Sequence, residues 1–484
     1  MTLKKNQHLE VTIESVAYKG VGIARHEGQV IFVPRTIPGQ VLRVQVSKIK
    51  KNYAEAKILE VLKKADNEID PICPHFEECG GCTWQHVSYQ DQLGFKQNII
   101  LDSLRGIQRT TETPLPVQDI IASPLQTHYR NKVEFGFGED GKIGFNYRGS
   151  FWNVIPMTTC HIATKEMNTI REITKTIWNE QFSDIPKYHK NRHSGLLRFL
   201  QIRHAYNNDD ILVNLVHSSQ TDTDIILGPK GETHTVQVTK EHFDNFIAAL
   251  TEAYKQHNPN INFCTTRNDN LSDAPANATG LETVVHLGKD HIFETLGDKT
   301  YKISVFSFFQ TNSIGAEVLY DTVKKYALDI LKTKEKSSDL RVLDLFCGTG
   351  TIGQYLSDIA GSIVGIDIEK SSIKDAYINA DINNITNVEY IDQAAEKAVQ
   401  DIQDPHFDLA IVDPPRAGIH PKALKWIREE LQTDTMIYVS CNPTTLSRDL
   451  ENLGENWEIK SITPVDMFPQ TYHVETVVLL EKKK

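Results

Sequence analysis

Three short apolar runs in the last third of the chain end in residues able to do chemistry. Met436–Ser440 runs into Cys441-Asn442-Pro443, and Phe407–Val412 into Asp413-Pro414-Pro415-Arg416. Arg341–Leu345 runs into Phe346-Cys347-Gly348-Thr349-Gly350. Proline cannot continue a central strand, so the first two runs must stop where the chain turns. Open α/β sheets bind ligands at the carboxyl ends of parallel strands. A glycine-rich turn, an acidic-proline loop and a thiol on three such ends would set a cofactor beside a covalent catalyst.

The glycine turn, Gly348 to Gly353, has the G-x-G-x-x-G spacing, and Asp367 follows at the end of the next apolar run. Glycines let a backbone approach a nucleotide, and the acid accepts hydrogen bonds from ribose hydroxyls. That spacing leaves open a nicotinamide-dependent oxidoreductase as well as an S-adenosylmethionine enzyme. Asp344, inside the strand, favours a positively charged methionine-like ligand over a pyrophosphate, which it would repel. A second cluster lies far upstream, where Cys73, Cys79 and Cys82 have the spacing C-x5-C-x2-C. Such thiols need one more ligand for a four-coordinate site. Cys160 is the candidate, ahead of His75, His86 and Cys264, and zinc and an iron–sulfur cluster fit equally.

The elements that must hold these residues differ along the chain. With 484 residues there is room for two to four domains. Residues 8–62 alternate apolar and polar in short runs separated by glycine and proline turns, which predicts a small OB-like β-barrel. Residues 1–65 hold 12 Lys and Arg against five acids, while the whole chain has a net charge of −11. A basic module on an acidic body points to a polyanionic partner, and Lys48, Lys50, Lys51 and Tyr53 have the composition of a single-strand binder. Residues 88–108 predict an amphipathic helix, and 129–157 and 196–216 predict β-structure, the latter a hairpin. From about Val305, helices near 312–333 and 370–382 alternate with strands 341–345, 362–366, 407–412 and 435–440. That order predicts a doubly wound, Rossmann-like sheet. No apolar run is long enough to span a bilayer and no secretory signal is visible, so a cytoplasmic location without membrane contact is expected. Seven cysteines in such a chain argue against a disulfide framework.

Taken together these motifs resemble the uracil-C5 RNA methyltransferases, above all the bacterial enzymes acting on 23S ribosomal RNA. The resemblance implies a TRAM barrel over residues 1–65 and an α+β central domain over 66–90 and 125–304. It implies a catalytic domain formed by 91–124 and 305–484. Cys73, Cys79, Cys82 and Cys160 match the ligands of a [4Fe–4S] cluster. Gln310, in Phe308-Phe309-Gln310-Thr311-Asn312, is the implied cofactor contact, together with Phe346, Asp367 and Asp413 around S-adenosyl-L-methionine. Cys441 matches the nucleophile and Glu475, closing the segment that begins at Phe468, the base. Thr351 departs from the Asn of the ribosomal relatives and leaves the reaction class untouched. The implied partner is 23S rRNA, with tRNA as the alternative, and the expected state is a monomer. A thiolate nucleophile further predicts surroundings that lower the pKa of Cys441.

Overall fold

The computed structural model describes residues 3–150, 152–228, 234–271, 281–333, 340–398, 402 and 404–483. At the N-terminus, strands His8–Ala17, Val21–His26, Gln29–Pro34, Val41–Ile49 and Tyr53–Lys63 close into a barrel. The period-2 alternation turns Leu9, Val11 and Ile13 inward, where they pack against Ile31, Val33, Leu42, Val44 and Val46.

A six-stranded sheet follows in the middle of the chain. Its order is Glu282–Leu287, Ile261–Arg267, Ile211–His217, Leu197–His204, Lys132–Phe137 and Ile143–Gly144. Leu197–His204 and Ile211–His217 form the expected hairpin. Helices Lys165–Gln181 and Lys240–His257 each start at a threonine N-cap, Thr164 and Thr239, and bury an apolar stripe in this core. The helix expected over 88–108 is two helices, Tyr89–Ser103 and Arg105–Gln108. Ile100, Leu104 and Ile107 pack with Leu343, Leu345 and Leu446 of the C-terminal part.

The C-terminal sheet has seven strands: β1 Leu340–Leu345, β2 Ala360–Ile366, β3 Val388–Ile391, β4 Leu409–Val412, β5 Thr435–Ser440, β6 Trp457–Val465 and β7 Glu475–Lys482. Their order is β3-β2-β1-β4-β5-β7-β6, parallel from β3 to β5, with β7 antiparallel to both its neighbours. The strands that run as continuous Val, Ile and Leu are those buried on both faces. Val117 and Ile121 add isolated parallel bridges to Ile462 and Val465 on the β6 edge. The hairpin His291–Leu296 and Lys299–Ser304 buries Ile292, Leu296, Tyr301 and Ile303 in the same core as Val342, Ile411 and Ile437. It is tied to helix Lys370–Ile382 by Lys302 N–H donating to Asn379 Oδ1 at 2.8 Å. Among the described residues no helix is long and apolar enough to cross a membrane.

Candidate active site

Sheet register aligns the strand ends. Leu345 pairs with both Ile366 and Val412, so the next residues of β1, β2 and β4 are Phe346, Asp367 and Asp413, level with one another at one edge. Val412 pairs with Tyr438, so Cys441 leaves β5 just beyond that row. The last strand returns against β5 with Ser440 opposite Thr476. One step further along that ladder sets Glu475 opposite Cys441. An antiparallel return is thus what brings the candidate base to the candidate nucleophile.

The glycine turn is strained in the way a close ligand approach requires. Phe346 has φ 63°, a rare conformation for a side chain of its size, and Gly348 and Gly350 have φ 55° and 74°. A Cβ at Gly350 would lie 2.4 Å from the Tyr390 hydroxyl, so no larger residue fits. Asp367 holds the turn itself: its two oxygens accept from Gly348 N–H at 2.9 Å and Glu369 N–H at 2.8 Å. Beneath it, buried Asp344 accepts from Gly353 N–H at 2.9 Å through one oxygen, while the other has no partner. Burial raises the Asp344 carboxyl to about 7. An orphaned, buried carboxylate oxygen below a glycine turn fits a cationic ligand group and is ill suited to a phosphate.

Gln310 joins this edge through its neighbours. Asn131 donates to its carbonyl at 3.0 Å, and its side chain hydrogen-bonds Tyr320. Burial, then the charges of Asp413 and Asp344, raise the Tyr320 hydroxyl.

Two carboxylates crowd the thiol. Burial pushes Glu475 up to about 8, with Asp413 adding to the rise and Arg416 and Lys96 opposing it. Burial likewise lifts Asp413 to about 7. The Cys441 thiol is pushed up to about 12, first by burial and then by Glu475 and Asp413, with Arg416 opposing. This corrects the expectation of surroundings that lower it: desolvation and two carboxylates outweigh one guanidinium.

Glu475 is reached by a loop whose carbonyls are held one by one. Asn312 donates to Met467 O at 2.7 Å, Lys96 to Phe468 O at 3.0 Å and Tyr129 to Pro469 O at 2.8 Å. Gln470 O accepts from Thr83 and Trp84 N–H at 2.7 and 3.1 Å, and Gln92 clasps the Gln470 side chain and N–H. Lys96 also forms a buried ion pair with Asp466 at 2.6 Å.

The barrel reaches this site too. Tyr18, on the turn after the first barrel strand, meets Tyr472 edge to face at 5.6 Å, and Tyr472 lies 4.2 Å from the His473 ring. Burial raises the Tyr18 hydroxyl to about 12, with Tyr472, Cys441 and Glu475 adding to the rise. Sequence reasoning missed Tyr18 and Lys96; neither carries a local signal. Arg416 stood in a motif already noticed, without a role.

Cys73, Cys79, Cys82 and Cys160 line one small pocket with His75 and His161. Their loops are fixed independently of the sulfurs. Arg148 donates to the carbonyls of Phe76, Cys79 and Cys82 at 2.8–3.1 Å, and Asn168 brackets both backbone groups of Cys160. Burial raises all four thiols, Cys82 to about 12. Among the described residues no group of three His, Cys, Asp or Glu side chains could hold a single metal ion.

Comparison with known proteins decides the family. The chain is 36% identical over 490 residues to an RNA methyltransferase of Caldanaerobacter subterraneus subsp. tengcongensis, covering 99% of this chain and 100% of that one. It is 36% identical over 489 residues to an RNA methyltransferase of Clostridium tetani, covering 100% and 99%. The profile of the tRNA (uracil-5-)-methyltransferase family matches residues 276–483, and that of the TRAM domain residues 3–59. This chain belongs to the uracil-5 family of RNA methyltransferases. Among solved structures it is similar to the Pyrococcus abyssi tRNA (uracil-54, C5)-methyltransferase in complex with S-adenosyl-L-homocysteine. That likeness has a TM-score of 0.69 and 25% identity over 98% of this chain and 100% of that one. The family places the N-terminal barrel as a TRAM domain and the C-terminal sheet as the methyltransferase fold.

Proposed function

We propose that this chain methylates C5 of uridine in 23S rRNA through a temporary bond between Cys441 and C6 of the base. The observation that carries the reading is the β5–β7 ladder, which sets Glu475 opposite Cys441 beside Asp413. Phe346, Asp367, Asp413, Gln310 and the orphaned oxygen of Asp344 would hold S-adenosyl-L-methionine, which would supply an electrophilic methyl on a sulfonium. The Pyrococcus protein's S-adenosyl-L-homocysteine supports that cofactor.

C5 of uracil is a weak carbon nucleophile, and covalent catalysis splits one hard step into easier ones. The Cys441 sulfur bonds to C6, and its proton passes to a neighbouring carboxylate. The C5–C6 π pair moves into an enolate over C4 and C5. C5 then bonds to the methyl carbon as the methyl–sulfur bond breaks. Glu475 removes the C5 proton, the C5–C6 double bond re-forms, and the Cys441 sulfur leaves. Such a base needs a pKa near the working pH, and a carboxyl at about 8 meets that need. A stacked uridine is out of reach of this pocket, so the base must be flipped out or already unpaired.

The four cysteines line one pocket, which supports a bound metal centre there, a [4Fe–4S] cluster with zinc as the alternative. It would be held by Cys73, Cys79, Cys82 and Cys160 and act in structure and RNA shaping, since methyl transfer has no redox step. The cysteine set and the basic barrel favour ribosomal RNA. A tRNA substrate is the second reading, favoured by the Pyrococcus likeness.

The test is to map 5-methyluridine in 23S rRNA and tRNA from a strain lacking the gene, complemented with wild type or Cys441→Ala. The mark should vanish from one 23S position and return only with wild type. Loss from tRNA alone would move the assignment to the second reading, and full activity of Cys441→Ala would remove the covalent step. Iron and acid-labile sulfide in equal amounts, lost in Cys160→Ala, would identify the cluster; one zinc per chain would replace it.

A further inference from the structure

One buried acid takes no part in the chemistry above. Strand His291–Leu296 turns Ile292, Glu294 and Leu296 to its buried face, so a carboxylate stands where the alternation calls for an apolar side chain. Glu294 is 0% exposed. Two of its hydrogen bonds come from the turn after strand Leu197–His204, from Tyr206 N–H at 2.7 Å and Asn207 N–H at 3.0 Å. A third comes from Thr295 N–H at 3.1 Å, and the fourth from the Ser313 hydroxyl. Four donors suit the ionised carboxylate, which can only accept. Burial raises the Glu294 carboxyl, and these four bonds oppose the rise.

Ser313 passes this preference on. It opens helix Ser313–Thr333, is itself buried, and its Oγ accepts from Asn131 Nδ2 at 2.8 Å. Its own proton is given to Glu294. The same Asn131 nitrogen donates its other hydrogen to Gln310 O at 3.0 Å. A carbonyl only accepts, so the amide nitrogen of Asn131, not the oxygen, must face Gln310. The bonds thus run in one direction, amide to hydroxyl to carboxylate. An amide held at both hydrogens does not rotate to set its oxygen against Gln310 O, a repulsive contact.

The backbone around this chain is fixed as well. Asn131 N–H donates to Thr311 O at 2.9 Å, and Asn131 O accepts from His204 N–H at 3.0 Å. Asn312 accepts from Gly315 N–H at 2.9 Å and donates to Met467 O at 2.7 Å on the loop before Glu475. Residues 310–313 therefore join the central sheet, the cofactor edge and the loop that carries the base.

We propose that Glu294, Ser313 and Asn131 form a positioning chain that fixes Gln310 for the cofactor. The proposal rests on the reading of Gln310 as an S-adenosyl-L-methionine contact and adds three residues that act through it.

The test uses the full-length protein, with S-adenosyl-L-homocysteine binding by calorimetry and initial rates on a 23S rRNA transcript. Ser313→Ala and Asn131→Ala should each weaken S-adenosyl-L-homocysteine on the order of tenfold. The KM for S-adenosyl-L-methionine should rise in step while kcat stays within about twofold of wild type. Affinity for the transcript should not move. The double variant should bind no more weakly than the weaker single, because both substitutions cut one chain. Unchanged S-adenosyl-L-homocysteine affinity in either single, or losses that multiply in the double, overturns the chain. An equal fall in transcript affinity also overturns it, since that is a general loosening rather than a placed contact. Wild-type protein that binds S-adenosyl-L-homocysteine but methylates neither the transcript nor tRNA removes the methylation reading alone, and the calorimetry still decides the chain. Wild-type protein that binds no S-adenosyl-L-homocysteine overturns both.

Discussion

Glu475 carries two consequences of one environment. Its carboxyl sits at about 8 against an ordinary 4.5 because burial and Asp413 both disfavour the charge. Between those values the folded protein keeps a proton that the unfolded chain has released, so this group's contribution to stability is full below 4.5 and is lost as pH rises through 8. Glu475→Gln removes that dependence. Its melting temperature should match wild type near pH 4.5 and exceed it by pH 8, a gain on the order of several kcal/mol in unfolding free energy, since the rise to about 8 already includes the opposing Arg416 and Lys96. On the proposed mechanism turnover should fall ~100-fold or more, since proton removal from C5 would lose its base. Equal melting temperatures at pH 8 would show that Glu475 is solvated rather than buried. The same ionisation sets the wild-type profile: kcat/KM should rise with pH up to about 8, read from initial rates across pH 6–9. Asp413 and Cys441 were legible in the sequence because a proline follows each within two residues, and Asp367 because it ends the apolar run that comes after the glycine turn. The raised thiol of Cys441 was not, because it depends on carboxylates delivered by other strands.

The elements around the site show where reading the chain stops short. The parallel strands, the barrel and the hairpin at residues 197–217 followed from periodicity and turn residues alone. What periodicity does not carry is who clasps the loop before Glu475. Helix Tyr89–Ser103 does so from some 370 residues away, through Lys96 and Gln92. Its pattern also hid the break at Leu104, since the apolar positions continue across it. Lys96→Met would leave Asp466 buried without its cation and should cost about 3–5 kcal/mol in denaturant unfolding. Lys96→Met with Asp466→Asn should recover most of that, because an apolar and a neutral side chain no longer strand a charge. If the double variant is no better than the single, the pair is not what holds the loop. The barrel turn is the other long-range element. Its Gly20 has φ 67° and a Cβ there would come within 2.3 Å of Thr83, so the turn is pressed onto the chain that binds Gln470. Tyr18→Ala opens one wall of the catalytic pocket and should lower kcat/KM for RNA about tenfold. Tyr18→Phe, which keeps the edge contact with Tyr472, should stay near wild type; a Phe variant as poor as Ala would mean that the hydroxyl, not the ring, is used.

At the scale of the molecule, charge is divided between an acidic body and a basic barrel, yet the barrel's excess overstates its grip. Arg25 pairs with Glu14, Arg43 with Glu60 and Lys48 with Glu55, all exposed pairs, and Arg35 with Glu77 of the cysteine loop. Such pairs add little stability, and a cation already facing a carboxylate releases fewer counterions on meeting a phosphate. Lys50 and Lys51 are placed differently, exposed on the turn between two barrel strands, where Lys50 N–H donates to Tyr53 O at 2.8 Å. Tyr53 itself packs edge to face on Phe32 at 5.3 Å, so it is held rigid beside them. Each phosphate neutralised on a single strand contributes about 0.7 to the slope of log affinity against log salt. Lys50→Ala with Lys51→Ala should therefore flatten that slope by ~1.4, whereas Arg43→Ala should change it by much less. Measured as binding to a 23S rRNA transcript from low to physiological salt, equal changes in the two variants would mean that the barrel meets RNA through its paired face. A larger change in the lysine double places the RNA backbone across the turn at residues 50–53, on the barrel's free rim.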